Sequence, residues 1–382
     1  MSGTNPGSTS SPFNQLLEVM ARHKASDLFI SVGSPVQMKI NGNMVAVTAA
    51  DKRLMPQQAE ALLRSAINDQ QWRRFQEENE LNIGYGVKDV GSFRISLFRQ
   101  RGTAAAVVRY IPGDIPEFDT LGMPPVLKEL ILQPRGLFLM VGATGSGKST
   151  TLAAMIGHRN EHSHGHIITI EDPVEFVHVH KNCIVTHREV GVDTLDWHVA
   201  LKNTLRQAPD VIMLGEIRDR ETMEHAVAFA ETGHLCMGTL HANSANQALD
   251  RIINFFPDER RQQLLMDLSL NLKAVISQRL VPAEGRKGRV AAVEIMINSP
   301  LISDLIFKGS VSEIKEIMKK SRELGMQTFD QHLFDLFEAG QISYENALRN
   351  ADSVNDLRLN IKLNSKRRSE DPTAASSKLG IV

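Results

Sequence analysis

The fold is decided by residues 136–154, which read G-L-F-L-M-V-G-A-T-G-S-G-K-S-T-T-L-A-A. The stretch opens as a continuous apolar run, which is typical of a strand buried on both faces. It then turns between Gly142 and Gly147 and continues as a helix. The turn fits the spacing G-x-x-x-x-G-K-S, in which glycines let backbone N–H groups surround phosphate oxygens. The stretch therefore predicts a phosphate-binding loop.

The side chains at this turn match a nucleoside triphosphate. Lys148 adds a positive charge, the hydroxyl of Ser149 can hold magnesium, and the positive end of the helix dipole points to the same place. A tight glycine turn without a ligand is the alternative. The predicted nucleotide-binding residues are Gly142, Thr144, Gly145, Ser146, Gly147, Lys148, Ser149 and Thr150.

Strands and helices alternate after this loop, as a parallel sheet with crossover helices requires. The strand candidates are 136–141, 166–170, 211–214 and 235–240. In open α/β sheets, ligands bind at the carboxyl ends of the strands. We therefore expect the polar residues that follow these strands to lie near the phosphate loop.

Acids and histidines stand at the ends of the later strands. Three carboxylates within five residues begin at Glu171, and Glu216 follows the strand V-I-M-L as in a Walker B segment, which places a carboxylate near magnesium and the attacking water. His234 and His241 bracket the fourth strand. For any single acid, capping a helix is the alternative. Together they predict one shared site.

Six other histidines crowd the region that follows the phosphate loop, so a metal site has to be weighed. No cysteine supports them, and they precede a strand start, away from the predicted site. We expect a polar loop here. The residues are His158, His162, His164, His166, His178 and His180.

Composition narrows the function classes. The chain has 382 residues, with 43 Lys and Arg against 44 Asp and Glu, and 5% of its residues are aromatic. It therefore lacks the basic, aromatic-rich composition that is typical of a nucleic-acid binder. A local nucleic-acid-binding groove is the alternative. Its length indicates two domains. The two cysteines, Cys183 and Cys236, have no metal spacing and suit a reducing compartment.

The first twelve residues have neither a basic start nor an apolar core, so we expect a disordered leader and not a signal peptide. No apolar run approaches membrane-spanning length. These features predict a cytoplasmic or peripheral protein.

Residues 13–111 predict a small α+β domain that begins with a helix at 13–23. Short strands follow, then helical segments at 56–67 and around 72–80, and strands at 91–98 and 104–110. Residues 111–125 contain four prolines and two glycines and predict a domain linker.

Arginines cluster on the last two strands of this domain, at positions 94, 99, 101 and 109. One interpretation is a solvated strand face. The other is that some of them approach a phosphate on another domain or subunit, as arginine fingers do.

The C-terminal third predicts helices at 248–256, 259–275, 301–308 and 311–321, with a strand at 290–296. The helix at 311–321 either packs on its own domain or binds a partner. The last residues, from Lys362 onward, are basic and serine-rich and predict a disordered tail. Such a tail is solvated or touches acidic lipid.

Several motifs resemble those of the secretion-ATPase superfamily. I-I-T-I-E-D-P-V-E-F resembles its Asp box, A-P-D-V-I-M-L-G-E-I-R-D its Walker B segment, and T-G-H-L-C-M-G-T-L-H-A-N-S-A its His box. With A-S-D-L-F-I-S-V-G near the start and G-M-Q-T-F-D-Q-H-L-F-D-L near the end, the resemblance covers residues 13–360.

Within the superfamily, the chain is similar to the type IV pilus retraction ATPases of the PilT/PilU family. It lacks the four-cysteine zinc element that extension and type II secretion branches carry after Q-R-L-V. Where PilT-like members carry A-I-R-N-L-I-R-E, residues 301–308 read L-I-S-D-L-I-F-K, which together with the basic tail resembles the PilU branch. Ala143 and Phe29 are two smaller departures from the family pattern.

The resemblance implies a RecA-like P-loop ATPase domain and a smaller N-terminal PAS-like α+β domain, an α/β protein assembled as a homo-hexameric ring that uses ATP and Mg²⁺. The expected limits are a leader at 1–12, the PAS-like domain at 13–111, a linker at 112–125, the ATPase domain with C-terminal helices at 126–360, and a tail at 361–382.

The resemblance also assigns roles. Lys148 would hold the β- and γ-phosphates, Ser149 magnesium, and Glu216 would activate water with support from Glu171.

The resemblance implies further that His234 and His241 would link the phosphate state to the neighbouring domain. Arg94, Arg101 and Arg109 are the finger candidates.

The function implied is an ATPase motor that powers or assists pilus retraction with a PilT-type motor and an inner-membrane platform protein, in the cytoplasm at the pilus base. A non-catalytic accessory subunit is one alternative. A nucleic-acid translocase is another, but it would need a basic, salt-sensitive channel, so no stable nucleic-acid binding is expected.

Overall fold

A computed structural model describes residues 11–40, 42–47, 52–111, 113 and 115–367. The described residues form two compact units. Unit 1 comprises those of Met1–Asp114, Pro173–Val177 and Glu189–Asp196, and unit 2 comprises those of Ile115–Asp172, His178–Arg188 and Trp197–Val382. The two short segments near 175 and 192, which the sequence analysis placed in the second domain, thus group with the first.

Unit 1 is built on a six-stranded antiparallel sheet of order β3-β2-β1-β6-β5-β4. Its core joins the helices to the sheet and includes Phe13, Leu17, Phe75, Phe93 and Val108. The elements are α1 (Pro12–Arg22), β1 (Asp27–Ile30), β2 (Gln37–Ile40), β3 (Asn43–Ala46), α2 (Pro56–Arg64), α3 (Asp69–Glu78), β4 (Glu80–Val87), β5 (Gly91–Gln100) and β6 (Thr103–Ile111).

Local signals set most of these limits. Ser11 accepts a hydrogen bond from Asn14 N at the start of α1, and Pro12 occupies the first helical turn, where no N–H is needed. The helix therefore starts at Pro12, the last residue of the leader expected at 1–12. Residues 1–10 lie outside the described part of the chain. Strand β4 was missed by the sequence analysis, which extended a helix to Glu80. The helix ends at Glu78, since Asn79 adopts a left-handed conformation with φ 62°.

Unit 2 contains a seven-stranded sheet of order β13-β12-β7-β11-β10-β8-β9. Its helices are α4 (Val126–Leu132), α5 (Lys148–His162), α6 (Trp197–Thr204), α7 (Arg220–Glu231), α8 (Ala245–Asn254), α9 (Asp258–Asn271), α10 (Pro300–Phe307), α11 (Ile314–Lys320), α12 (Phe329–Glu338), α13 (Tyr344–Arg349) and α14 (Val354–Asn364). Its strands are β7 (Gly136–Val141), β8 (Gly165–Glu171), β9 (Cys183–Glu189), β10 (Val211–Leu214), β11 (Leu235–Leu240), β12 (Leu272–Pro282) and β13 (Arg289–Ile297).

The four strands predicted around the phosphate loop are all present, and they lie side by side. β7, β11, β10 and β8 pair in parallel, and every residue of β7, β10 and β11 is buried. Their carboxyl ends therefore share one edge of the sheet, as ligand sites in this architecture require.

The prediction of one helix over 259–275 was wrong in its last four residues. α9 ends at Asn271, and β12 begins at Leu272, between β7 and β13. The apolar run after Leu272 is buried on both faces, and a short buried run cannot be told from a buried helix by periodicity alone. β12 lies beside the phosphate loop, because it pairs with β7.

Two sequence-based limits also differ from the structure. The expected linker contains a 3₁₀ helix at Phe118–Leu121, and Phe118 joins the core of unit 2. Residues 361–364 belong to α14, Ile361 is buried, and Arg367 Nη1 donates to Phe337 O at 2.6 Å. The tail expected to start at 361 is thus packed to residue 367, and residues 368–382 lie outside the described chain.

Across the described residues, we find no helix whose length and apolar content suit a membrane crossing. Cys183 and Cys236 are both buried free thiols.

Candidate functional site

The phosphate loop joins the end of β7 to the start of α5. Its helix is capped by Gly147, which offers no side chain, so the first N–H groups of α5 have no capping partner. The hydroxyl of Ser146 is buried and makes no hydrogen bond within the described residues. Donors without a partner at the start of a helix fit an anion such as phosphate.

Lys148 is folded against this loop. Its ammonium donates to Gly142 O at 2.8 Å and to Ala143 O at 2.9 Å, and the residue is only 9% exposed. Burial lowers the pKa of Lys148 below its usual value, and the carboxylate of Glu216 opposes that shift.

Glu216 follows β10 and is held by two basic side chains. Arg218 Nε lies 2.7 Å from Glu216 Oε2, and His241 Nε2 lies 3.4 Å from Oε1. Arg218 also lies 3.7 Å from Asp172, which follows β8. Three strands therefore deliver charged groups to one place, and the side chain of Glu216 stays 25% exposed, open to a water molecule.

Glu171, at the end of β8, is buried and faces His187. Nδ1 of His187 lies 3.7 Å from Glu171 Oε1 and 2.9 Å from Thr169 Oγ1. The backbone N–H of His178 donates to His187 Nε2 at 3.0 Å, so the ring proton stands on Nδ1, toward Thr169 and Glu171. His187 thus lies beside the acid and is itself fixed by Thr169 and by the backbone of His178.

The expected convergence on the loop is wrong for His234. It precedes β11, and its carbonyl accepts from Gly136 N at 3.0 Å, at the start of β7. Because β7 and β11 are parallel, His234 lies at the amino edge of the sheet and His241 at the carboxyl edge. A strand of this length separates the edges by about 20 Å.

The prediction of one polar loop for the other histidines was also wrong. His158 and His162 lie on α5 with their rings 4.1 Å apart, and His166 lies on β8. Burial is the main cause that lowers the pKa of His178 to about 3. Among the described residues, no three His, Cys, Asp or Glu side chains group in a way that would bind a metal.

The finger candidates lie in unit 1. Arg109 Nε is 2.9 Å from Asp27 Oδ1, and Arg94 Nε is 3.5 Å from Glu189 Oε1. Arg101 is exposed at the β5–β6 turn and makes no ion pair within the described residues. That any of them reaches a phosphate stays a prediction.

A cavity of about 640 Å³ adjoins the loop on the α5 side. Thr150 and Thr151 line one side, and the 3₁₀ segment near Leu121 lines another. Arg286, from the turn between β12 and β13, and Arg289, at the start of β13, also line it. The cavity is large enough for the nucleoside part of a nucleotide whose phosphates lie in the loop.

Arg279, which the sequence analysis did not single out, joins the loop after His241 to the C-terminal helices. It donates to Asn243 O at 3.2 Å and to Asp352 Oδ1 at 2.7 Å, and its guanidinium stacks 3.9 Å from the ring centre of Phe329. The signal was absent from the local sequence because these partners lie 36 and 73 residues away.

Glu294, on β13, is buried beside this network and accepts from Ala245 N at 2.8 Å, at the start of α8. Burial is the main cause that raises the pKa of Glu294 from its usual 4.5 to about 7, and Asp352 adds to the shift while Lys315 and Arg279 oppose it. The carboxyl group is thus largely protonated in the folded protein at acidic pH.

This pKa predicts a pH dependence of stability. Between pH 4.5 and 7 the unfolded chain binds fewer protons at Glu294 than the folded chain, so the free energy of unfolding falls as the pH rises, by about 3 kcal/mol in total. In Glu294→Gln, which keeps an acceptor for Ala245 N, that part of the fall is expected to disappear. Urea unfolding at pH 5 and pH 8 measures the difference. Equal falls in both proteins would contradict the prediction.

Comparison with known proteins gives the family. Residues 6–349 match the family described as type II/IV secretion system protein. The chain is 56% identical to the type IV pilus ATPase PilU of Pseudomonas aeruginosa, over 93% of this chain and 92% of that protein. It is 43% identical to the PilT protein of the same organism, named a type IV pilus retraction ATPase, over 88% and 97%.

A solved structure supports the same family assignment. The crystal structure of the pilus retraction motor PilT with bound ADP has a TM-score of 0.81 and 39% identity, and the match covers 90% of this chain and 99% of that one. This likeness confirms the fold class expected from the resemblance, a RecA-like ATPase domain with a smaller N-terminal PAS-like α+β domain. The chain belongs to the type II/IV secretion system protein family, among relatives that are pilus ATPases.

Proposed function

We propose that the chain is an ATPase that powers or assists type IV pilus retraction. The observation that carries this proposal is the single sheet edge at which the phosphate loop, Lys148, Glu216 and His241 come together. The names of the most similar relatives, a pilus ATPase and a retraction ATPase, supply the process.

In this proposal the triphosphate lies in the loop and the nucleoside in the adjoining cavity. The N–H groups of α5 and the hydroxyl of Ser146 bind phosphate oxygens, and the ammonium of Lys148 leaves the carbonyls of Gly142 and Ala143 for the β- and γ-phosphates. The bound ADP of the PilT structure supports nucleotide binding.

Magnesium fits the same arrangement, since Mg²⁺ in such sites is held by phosphates, waters and few protein oxygens. Ser149, exposed at the start of α5, is the proposed protein ligand, with Glu171 and Asp172 at the same sheet edge. When bound, the ion neutralises phosphate charge.

Glu216 would accept a proton from the water that attacks the γ-phosphate. Its ion pair with Arg218 and its contact with His241 fix the direction of the carboxylate. Glu171 lies beside His187 at the same sheet edge and would support this water or the metal.

The proposal extends to assembly. The chain would form a homo-hexamer in which the domains at 13–111 and 126–360 move relative to each other as phosphate contacts are made and lost. Arg94, Arg101 and Arg109 would contribute positive charge, and His241, which lies at the loop edge of the sheet, would link the phosphate state to the neighbouring domain. A PilT-type motor and an inner-membrane platform protein would be partners, at the cytoplasmic face of the pilus base.

The test compares cells that lack this chain with cells that lack the PilT-type motor. We expect fewer or weaker retraction events in the first and a larger loss in the second, scored by imaging labelled pili. Unchanged retraction in cells that lack the chain would contradict the proposal. Size-exclusion chromatography with light scattering tests the hexamer, and a monomer at all concentrations in the presence of ATP would contradict that part.

The alternative is a non-catalytic accessory role, in which Glu216→Gln would leave retraction unchanged. A nucleic-acid translocase would hydrolyse ATP faster in the presence of DNA, and we expect no such stimulation.

A further inference from the structure

The phosphate loop lies against a residue that is 127–132 positions further along the chain. β12 runs parallel to β7, and Ser277 pairs with Val141, so Gln278 stands beside Gly142, where the loop begins. Gln278 is 2% exposed. A polar side chain buried this deeply needs hydrogen-bond partners, and it finds both of them on the loop and its helix.

The amide of Gln278 contacts both ends of the turn. Its Nε2 donates to Ser146 O at 2.9 Å, and its Oε1 accepts from Thr151 Oγ1 at 2.8 Å. The carbonyl of Ser146 is therefore engaged toward β12. The first turn of α5 is fixed by the same amide.

The same residue explains why two motif positions are glycine. A Cβ on Gly142 would lie 2.6 Å from the carbonyl oxygen of Gln278, and a Cβ on Gly147 would lie 2.7 Å from its Nε2. Both distances are shorter than any real contact. Both glycines also have positive φ, +154° and +89°. Gln278 thus leaves no room for a side chain at the first and last glycine of the turn.

We propose that Gln278 is a positioning residue for the nucleotide, whose side-chain amide holds the phosphate loop and the first turn of α5 in the shape that receives phosphate groups. This inference rests on the proposed function, because the ligand is ATP. Gln278 also lines the adjoining cavity, and its amide acts on the phosphate-binding turn through Ser146 and Thr151.

This role predicts a separation of kinetic constants. Gln278→Met keeps the volume but loses both hydrogen bonds, so the KM for ATP and the Kd for ADP should rise about tenfold, the equivalent of about 1.4 kcal/mol. The turnover number should change less than threefold, because Lys148 and Glu216 remain. Gln278→Glu should weaken binding more, since a carboxylate oxygen would face the carbonyl of Ser146.

The experiment measures ADP binding by fluorescence of a labelled ADP with MgCl₂, and ATP turnover, on the purified full-length protein. Gln327→Met is the matched control, because Gln327 also donates an amide hydrogen bond to a buried strand, at 3.1 Å from Val293 O, outside the site. The control should leave KM and Kd within twofold. Thr151→Val should raise KM about threefold, and adding Gln278→Met to it should raise KM less than the product of the two single effects.

Each outcome either supports or overturns the positioning role of Gln278. If Gln278→Met folds and keeps KM and Kd within twofold of wild type, the positioning role is overturned and Gln278 is structural only. If it does not fold, Thr151→Val takes its place, and an unchanged KM there overturns the proposal. A wild-type protein that neither binds ADP nor turns over ATP would instead contradict the proposed function.

Discussion

Replacing Lys148 with alanine is expected to reduce ATP turnover at least about a thousandfold. The ammonium is the one lysine at the phosphate loop, it is 9% exposed, and it already forms two hydrogen bonds to loop carbonyls. Its loss leaves phosphate charge without a partner in a site where charges are poorly screened. Phosphate release by the purified full-length protein measures the effect.

The matched control is Lys308→Ala, because Lys308 is exposed on the surface and forms an ion pair with Asp304 in the same helical turn. This variant should keep turnover within twofold of wild type. Near-normal hydrolysis by Lys148→Ala would refute the assignment of the phosphate site.

Glu216→Gln is expected to lower turnover about a hundredfold to a thousandfold while nucleotide affinity stays within a few-fold of wild type. The amide cannot accept a proton from water, but it retains an oxygen for Arg218, which lies 2.7 Å from the carboxylate. Turnover and ADP binding, measured on the same preparation, separate the two effects.

Glu224→Gln serves as the control, since Glu224 forms a comparable pair with Arg220 at 2.7 Å on α7 but takes no part in the site. It should turn over ATP at the wild-type rate. Equal turnover by Glu216→Gln and wild type would show that another group activates the water.

The sequence predicted the centre of unit 2 well because its signals are local. The motif from Gly142 to Ser149 and the acids after short apolar runs depend on neighbours in the chain, and parallel pairing then brings their ends together. Glu216 and His241 meet as expected.

What the sequence missed depends on distant partners. Gln278 and Arg279 lie in an apolar run that resembles a helix, and their contacts are with residues up to 132 positions away. The sequence did not single out His187, because this residue lies beside Glu171 only through the pairing of β9 with β8 in the sheet. His234 was misplaced because a residue before a strand and a residue after it look alike in sequence, whereas the direction of the strand sends them to opposite edges.

The most direct test of the account is whether ATP hydrolysis by this chain does mechanical work. Pilus retraction is imaged in cells whose PilT-type motor has been made unable to hydrolyse ATP, with this chain either wild type or Glu216→Gln at equal protein levels. We expect retraction events with the wild-type chain and their loss with Glu216→Gln. Equal retraction in the two strains would contradict it.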